Sequence, residues 1–162
     1  NAVDGGIADV MHPQAATSDG TLALKAIDHE RQEGARLLVW QGRATAELLT
    51  TAPLDLGRET NGDVKLVTTL RIDALPADGD VTLIARSWGR DAELPIGAWL
   101  ATLPRGQWLK AGVLLKCLRA AGADTAKLDV PFAIRGSAGL ELAVAQVVAA
   151  TSDDTRLDCP IQ

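Results

Sequence analysis

Between residues 106 and 148 the chain reads GQWLKAGVLLKCLRAAGADTAKLDVPFAIRGSAGLELAVAQVV, two alternating segments on either side of a linker that carries one of the two cysteines. Val130, Phe132 and Ile134 fall on one side, with Pro131, Ala133 and Arg135 on the other, which is the period-two pattern of a half-buried strand. After a turn over residues 135–139, Leu140, Leu142 and Val144 alternate with Glu141, Ala143 and Ala145, so the two segments are expected to form a hairpin.

The same alternation recurs upstream. Residues 21–29 set Leu22, Leu24 and Ala26 against Lys25 and Ile27; residues 36–41 give a short apolar strand ending at Trp40; residues 44–50 read as a third. Asn61-Gly62 marks a tight reversal, because both residues tolerate positive φ. Residues 64–73 form the most regular strand, and residues 81–88 alternate after the Asp78-Gly79 turn, which predicts a second hairpin. Residues 89–104 read as a loop with a brief extended piece at 94–96 and one or two helical turns over 98–103, stopped by Pro104. From 107 the pattern fits two structures. Gln107, Leu109, Ala111, Val113 and Leu115 have strand spacing, whereas Ala111, Leu114, Leu115, Leu118 and Ala121 have helical spacing with Gly122 as cap.

Seven to nine short strands separated by turn signals predict an all-β sandwich, most simply a jelly roll with one or two short helices. Residues 1–19, rich in Gly, Ala, Asp and Pro without periodicity, read as a linker or flexible arm, and residues 20–162 as one domain. A chain of 162 residues supports one sizeable core.

Composition narrows the function. Sixteen basic residues stand against 21 acidic ones, a net charge of -5, with no basic run to track phosphates, so no nucleic-acid partner is expected. The longest apolar runs, at 37–40 and 113–115, are far too short to cross a bilayer, which predicts a soluble protein with no membrane partner. No basic-then-apolar leader opens the sequence, so an export signal is expected to have been cleaved or to lie upstream. Cys117 and Cys159 are either two buried thiols or a disulfide that ties down the tail. The disulfide is the expectation, worth about 4 kcal/mol by the chain-entropy argument, and it implies an oxidising compartment, periplasmic or extracellular. No His or second Cys stands at ligand spacing from either one, so no metal site is expected there.

Catalytic chemistry has little to stand on. His12 and His29 lack triad partners, and Asp78, Asp80, Asp153 and Asp154 lie in turn or tail segments where solvation explains them. The turn bearing Arg58, Glu59, Asn61 and Asp63 has oxygen ligands for a calcium ion, although turn chemistry alone accounts for it and no cofactor is expected.

Several motifs together resemble one family. Gln32-Glu33 precedes a strand ending in Trp40-Gln41-Gly42; LDLGRETNGD spans 54–63; Gly106-Gln107-Trp108 opens a strand leading to Cys117; Gly122-Ala123-Asp124 precedes Pro131-Phe132; and Cys159-Pro160 lies near the end. The pattern resembles the ExoP-type C-terminal domain of bacterial glycoside hydrolase family three β-glucosidases and exo-β-glucan glucohydrolases, over roughly residues 20–160. The sequence departs from it at Gly34, where the family commonly has an acidic residue, and at Leu37-Leu38, which replaces a more aromatic segment. The resemblance implies a galactose-binding-like β-sandwich and favours the strand reading of 107–115, with a turn of helix at 118–121. It also implies a non-catalytic accessory role: docking on the catalytic domains of a parent glycosidase and assisting the binding of β-glucan oligosaccharides. The alternatives are an autonomous carbohydrate-binding module and a structural or oligomerisation domain.

Four tryptophans, with one Phe and no Tyr, are the informative side chains, since aromatic faces stack on sugar rings while polar neighbours bond the hydroxyls. Trp40 and Trp108 sit at strand positions and are expected to be core. Trp88, in SWGRD with Arg90, Asp91 and Glu93, and Trp99, in the short helix, are the carbohydrate-contact candidates, against packing within the domain or onto the parent.

Overall fold

The computed structural model describes residues 22–26, 36–47, 55–62, 64–150 and 155–157. The strands are β1 (Leu22–Ala26), β2 (Arg36–Trp40), β3 (Ala44–Glu47), β4 (Lys65–Ala74), β5 (Thr82–Ser87), β6 (Arg90–Pro95), β7 (Trp108–Leu114), β8 (Val130–Gly136), β9 (Glu141–Ala150) and β10 (Thr155–Leu157). Three short helices intervene: α1 (Gly57–Thr60), α2 (Gly97–Ala101) and α3 (Leu115–Ala120). One sheet has six strands in the order β1-β2-β9-β4-β7-β10, and the other has four in the order β3-β8-β5-β6. Pairing is antiparallel apart from β10 on β7. The expected all-β sandwich is the observed architecture.

The inner faces supply the core. Leu38 and Trp40 from β2, Leu66, Leu70 and Ile72 from β4, Val113 from β7 and Leu142 and Val144 from β9 belong to one buried cluster with Leu83, Leu94, Phe132 and Ile134 of the opposing sheet. Leu100 of α2 and Leu115 and Leu118 of α3 join the same cluster. A smaller cluster of Ile84, Val130 and Ala133 is separate from it. Ile84 and Ala133 are register partners on the strands that also carry Arg86 and Arg135, so this sheet is apolar at the centre of its outer face as well.

Two expected hairpins are not formed. β8 and β9, joined by the short turn through Gly139, lie in different sheets, β8 between β3 and β5 and β9 between β2 and β4. β4 and β5 likewise part company, β4 pairing with β7 and β9 while β5 pairs with β6 and β8. Alternation fixes which face of a strand is buried, and both arrangements bury it; a short turn can carry the chain across the roughly 10 Å between sheets as readily as along one of them. A third correction concerns residues 90–93, expected as loop ahead of a brief extended piece at 94–96; residues 90–95 form the edge strand β6. Ala92 and Leu94 point inward against exposed Asp91, Glu93 and Pro95, and small Ala92 weakens the alternation signal. The ambiguous stretch is a strand and then a helix. Gly122 (φ +112°) ends α3 with the two bonds of a Schellman cap, Ala123 N–H to Leu118 C=O and Gly122 N–H to Arg119 C=O, each 3.0 Å.

Candidate functional site

The β5–β6 hairpin turns on two residues, since Ser87 pairs with Arg90 and leaves Trp88 and Gly89 at the tip. Their φ values of +54° and +72° are those of a type I′ turn. That turn favours Asn, Asp or Gly at its first position; a tryptophan there carries the steric cost of the left-handed region. Trp88 is also 64% exposed and is the sole exposed large hydrophobic among the described residues.

The indole is held from the loop that follows α3. Its Nε1–H donates to Asp124 Oδ2 at 2.7 Å, and the Trp88 backbone N–H donates to Asp129 Oδ2 at 2.9 Å. Lys127 Nζ lies 4.4 Å from the ring centroid and 2.8 Å from Asp129 Oδ1. The loop is itself braced: Asp124 N–H donates to Ser87 Oγ, Ala126 N–H donates to Asp124 Oδ1, and Asp129 N–H donates to Arg86 C=O at 2.8 Å. The indole bond holds the Asp124 carboxyl below its ordinary value, and the Lys127 ammonium does the same for Asp129, so both are ionised at neutral pH.

The sequence-derived candidates divide. Trp88, Arg90 and Asp91 share the hairpin tip; Arg90 is exposed, and Asp91 accepts from Arg86 Nε at 2.8 Å while the same guanidinium reaches Glu47 at 3.0 Å. Glu93, further along β6, takes a two-pronged ion pair from Arg135 at 3.0 and 3.2 Å, which lowers its pKa. Trp99 is half-buried on α2, packs against the core and lines a small apolar cavity between the sheets with Leu70, Leu83, Phe132 and Leu142. Among the described residues no hydrogen bond or ring contact links Trp99 to the Trp88 cluster. Asp124 stands out in the sequence only as the end of the Gly122-Ala123-Asp124 motif, without a site role, and nothing in the pattern marks Lys127 or Asp129. The one local signal is a helix cap followed at once by Asp, and nothing in the sequence ties it to a tryptophan 36 positions earlier.

Of the other expectations, Trp40 is buried as core, and Trp108 is half-buried with the Arg71 guanidinium 5.4 Å from its centroid. Cys117 is buried on α3, while Cys159, His12, His29, Asp63, Asp153 and Asp154 lie outside the described residues. Asn61 Oδ1 accepts from Arg119 at 3.1 Å, and the described residues hold no cluster of three His, Cys, Asp or Glu side chains able to share a metal. Asp78 bonds Ser137 and the Asp80 N–H, and Asp80 pairs with Arg43.

Comparison with known proteins then settles the family. The profile of the Exop_C family, described as galactose-binding domain-like, matches residues 6–148. The chain belongs to this family. The match begins inside the stretch expected to be an arm. The Exop_C fold seen here is similar to the extra C-terminal domain (X) of the exo-1,3/1,4-β-glucanase ExoP from a Pseudoalteromonas species, with TM-score 0.69 and 21% identity over 91% of this chain and 83% of that one. It is also similar to part of the whole ExoP enzyme from the same organism, with TM-score 0.65 and 22% identity over 90% of this chain. The Exop_C domain thus spans 18% of the full glucanase chain. No curated protein matches the sequence significantly.

Proposed function

We propose that this Exop_C domain is the non-catalytic accessory domain of a periplasmic or secreted family three glycoside hydrolase of the β-glucosidase or exo-β-glucanase type. It docks on the catalytic domains and assists their engagement of β-glucans. The observation that carries this reading is the family match together with the likeness to a domain that, in ExoP, is an extra piece of a much longer glucanase chain. In keeping with a surface role, the carboxylates of Glu47, Asp80, Asp91 and Glu93 are engaged in ion pairs with Arg43, Arg86 and Arg135. The exposed Trp88 favours, as a second reading, a module with saccharide affinity of its own.

The test uses the parent polypeptide with and without these residues. Removing them lowers turnover of long β-glucans more than turnover of a small aryl β-glucoside, and adding the separate domain back restores part of the loss. Equal activity of the two forms on both substrates overturns the accessory reading. Glycoside hydrolysis by the 162 residues alone overturns its non-catalytic part.

Export carries its own check. With Cys117 and Cys159 joined, alkylation of the unfolded protein without reductant labels neither cysteine, and prior reduction labels both; mass spectrometry reads the difference. Two labelled cysteines without reductant, in protein isolated from an oxidising compartment, remove the case for the bond.

A further inference from the structure

We propose that the exposed face of the Trp88 indole is a stacking platform for one pyranose ring of a neutral, β-linked saccharide, with Asp124 and Lys127 acting as positioning residues that hold the ring in its orientation. The choice of sugar rests on the accessory-domain reading; the site itself rests on geometry.

Three observations converge on the tip. A bulky aromatic occupies a left-handed backbone position that a smaller residue would fill at less cost, and strain of this kind persists where the surrounding structure over-determines it. Here Asp129 fixes the backbone and Asp124 fixes the indole edge. The ring is therefore pre-oriented, and a ligand that lies on it has little side-chain freedom to freeze. Its Nε1–H is satisfied by Asp124 and one face is taken by the Lys127 ammonium, so the apolar surface left over is flat and about one ring in size.

That size decides between sugar and protein. An indole offers about 150–250 Å², whereas a stable protein interface buries about 800 Å² on each partner. The described residues provide no second exposed large hydrophobic to extend the patch. The apolar C–H face of a pyranose with equatorial hydroxyls matches it, and Arg90, exposed next to Gly89 at the tip, is a hydrogen-bond donor close by in the chain. Charge points the same way. Lys127 is paired with Asp129, Arg86 with Asp91 and Glu47, and the charge of the exposed Arg90 is offset in sum by the Asp124 carboxylate at the indole edge, so the rim offers an anionic sugar little net attraction.

The test follows the four tryptophan indole N–H resonances of the 162-residue protein during titration with a cello-oligosaccharide, a laminari-oligosaccharide and an oligogalacturonide of equal length. The Trp88 resonance, assigned by its absence from Trp88→Asn, shifts with at least one neutral sugar at millimolar concentration. Trp88→Asn lowers that affinity about tenfold or more while unfolding at least at the wild-type temperature, because Asn suits the turn. Trp99→Phe binds as the wild type does, and the oligogalacturonide binds no more tightly than the neutral sugars. Several results overturn the proposal: a Trp88 resonance unmoved by all three sugars, full affinity in Trp88→Asn, loss of affinity in Trp99→Phe instead, or preference for the uronate. A Trp88 resonance moved only by the parent catalytic domains also overturns it, and leaves the accessory reading standing. Sugar binding at Trp88 in a domain whose removal leaves the parent enzyme unchanged does the reverse.

Discussion

Replacing Trp40 by alanine lowers the free energy of unfolding by about 3–5 kcal/mol, the range for deleting a fully buried aromatic. The position explains the size. Trp40 is 1% exposed at the end of β2, where the chain leaves the six-stranded sheet for β3 in the other sheet. Its Nε1–H donates to the Ala44 carbonyl at 2.9 Å and so spans that crossing. Its backbone N–H donates to the Leu140 carbonyl at 2.9 Å, and the Gly139 N–H donates to its carbonyl at 3.2 Å, which ties in the β8–β9 crossing too. Gly136 stands against the ring: a Cβ there would lie 3.3 Å from Nε1 and would overlap the Leu140 side chain. One side chain thus fills the corner where the chain changes sheet twice. Trp40→Phe keeps most of the volume but leaves the Ala44 carbonyl without its donor, at a cost of about 1–3 kcal/mol. Urea unfolding followed by circular dichroism measures both; a loss below about 1 kcal/mol for Trp40→Ala would sink the corner account.

Gly97→Ala is destabilising by at least about 3 kcal/mol, at or beyond the upper end of ordinary overpacking, because the obstruction is backbone. Gly97 opens α2, and a Cβ on it would overlap the carbonyl oxygen of Gly79. That oxygen accepts the Val81 N–H at 3.0 Å, and Val81 C=O in turn accepts the Ile96 N–H at 2.9 Å, so the carbonyl cannot swing aside without loosening the β4–β5 crossing and the α2 entry together. Gly79→Ala is the matched control. Its added Cβ meets nothing within 4 Å, and the cost is that of a non-glycine residue at φ +68°, about 1–2 kcal/mol. Thermal unfolding of the two variants side by side decides the matter: if Gly79→Ala is the more damaging, the close approach at Gly97 is not limiting.

Period-two runs announced most of the strands, because a sheet with one buried face needs apolar side chains at every second position. β4 and β8 were read almost to the residue, and the Gly122 cap was visible because a left-handed helix end selects glycine. Of β6 only the end, within the extended piece at 94–96, is legible, because a small residue, Ala92, and Pro95 blur the alternation. At the candidate site Trp88, Arg90 and Asp91 could be named from their neighbourhood in SWGRD, but the partners that fix the ring could not, since Asp124, Lys127 and Asp129 are neighbours of Trp88 only in space.

The sequence by itself determined most of the strand content, the two-faced character of those strands, most turn positions and the family motifs, nearly all of which depend on interactions between residues close together in the chain. The tertiary structure alone decided which strand lies beside which. β4 sits between β9 and β7 rather than beside β5, and β8 between β3 and β5 rather than beside β9. The physical reason is that burial of an apolar face is indifferent to the identity of the neighbour, whereas the choice of sheet is made at the crossings. There a few non-local fits, the Trp40 ring against Gly136 and the Gly97 backbone against Gly79, help to fix the path of the chain.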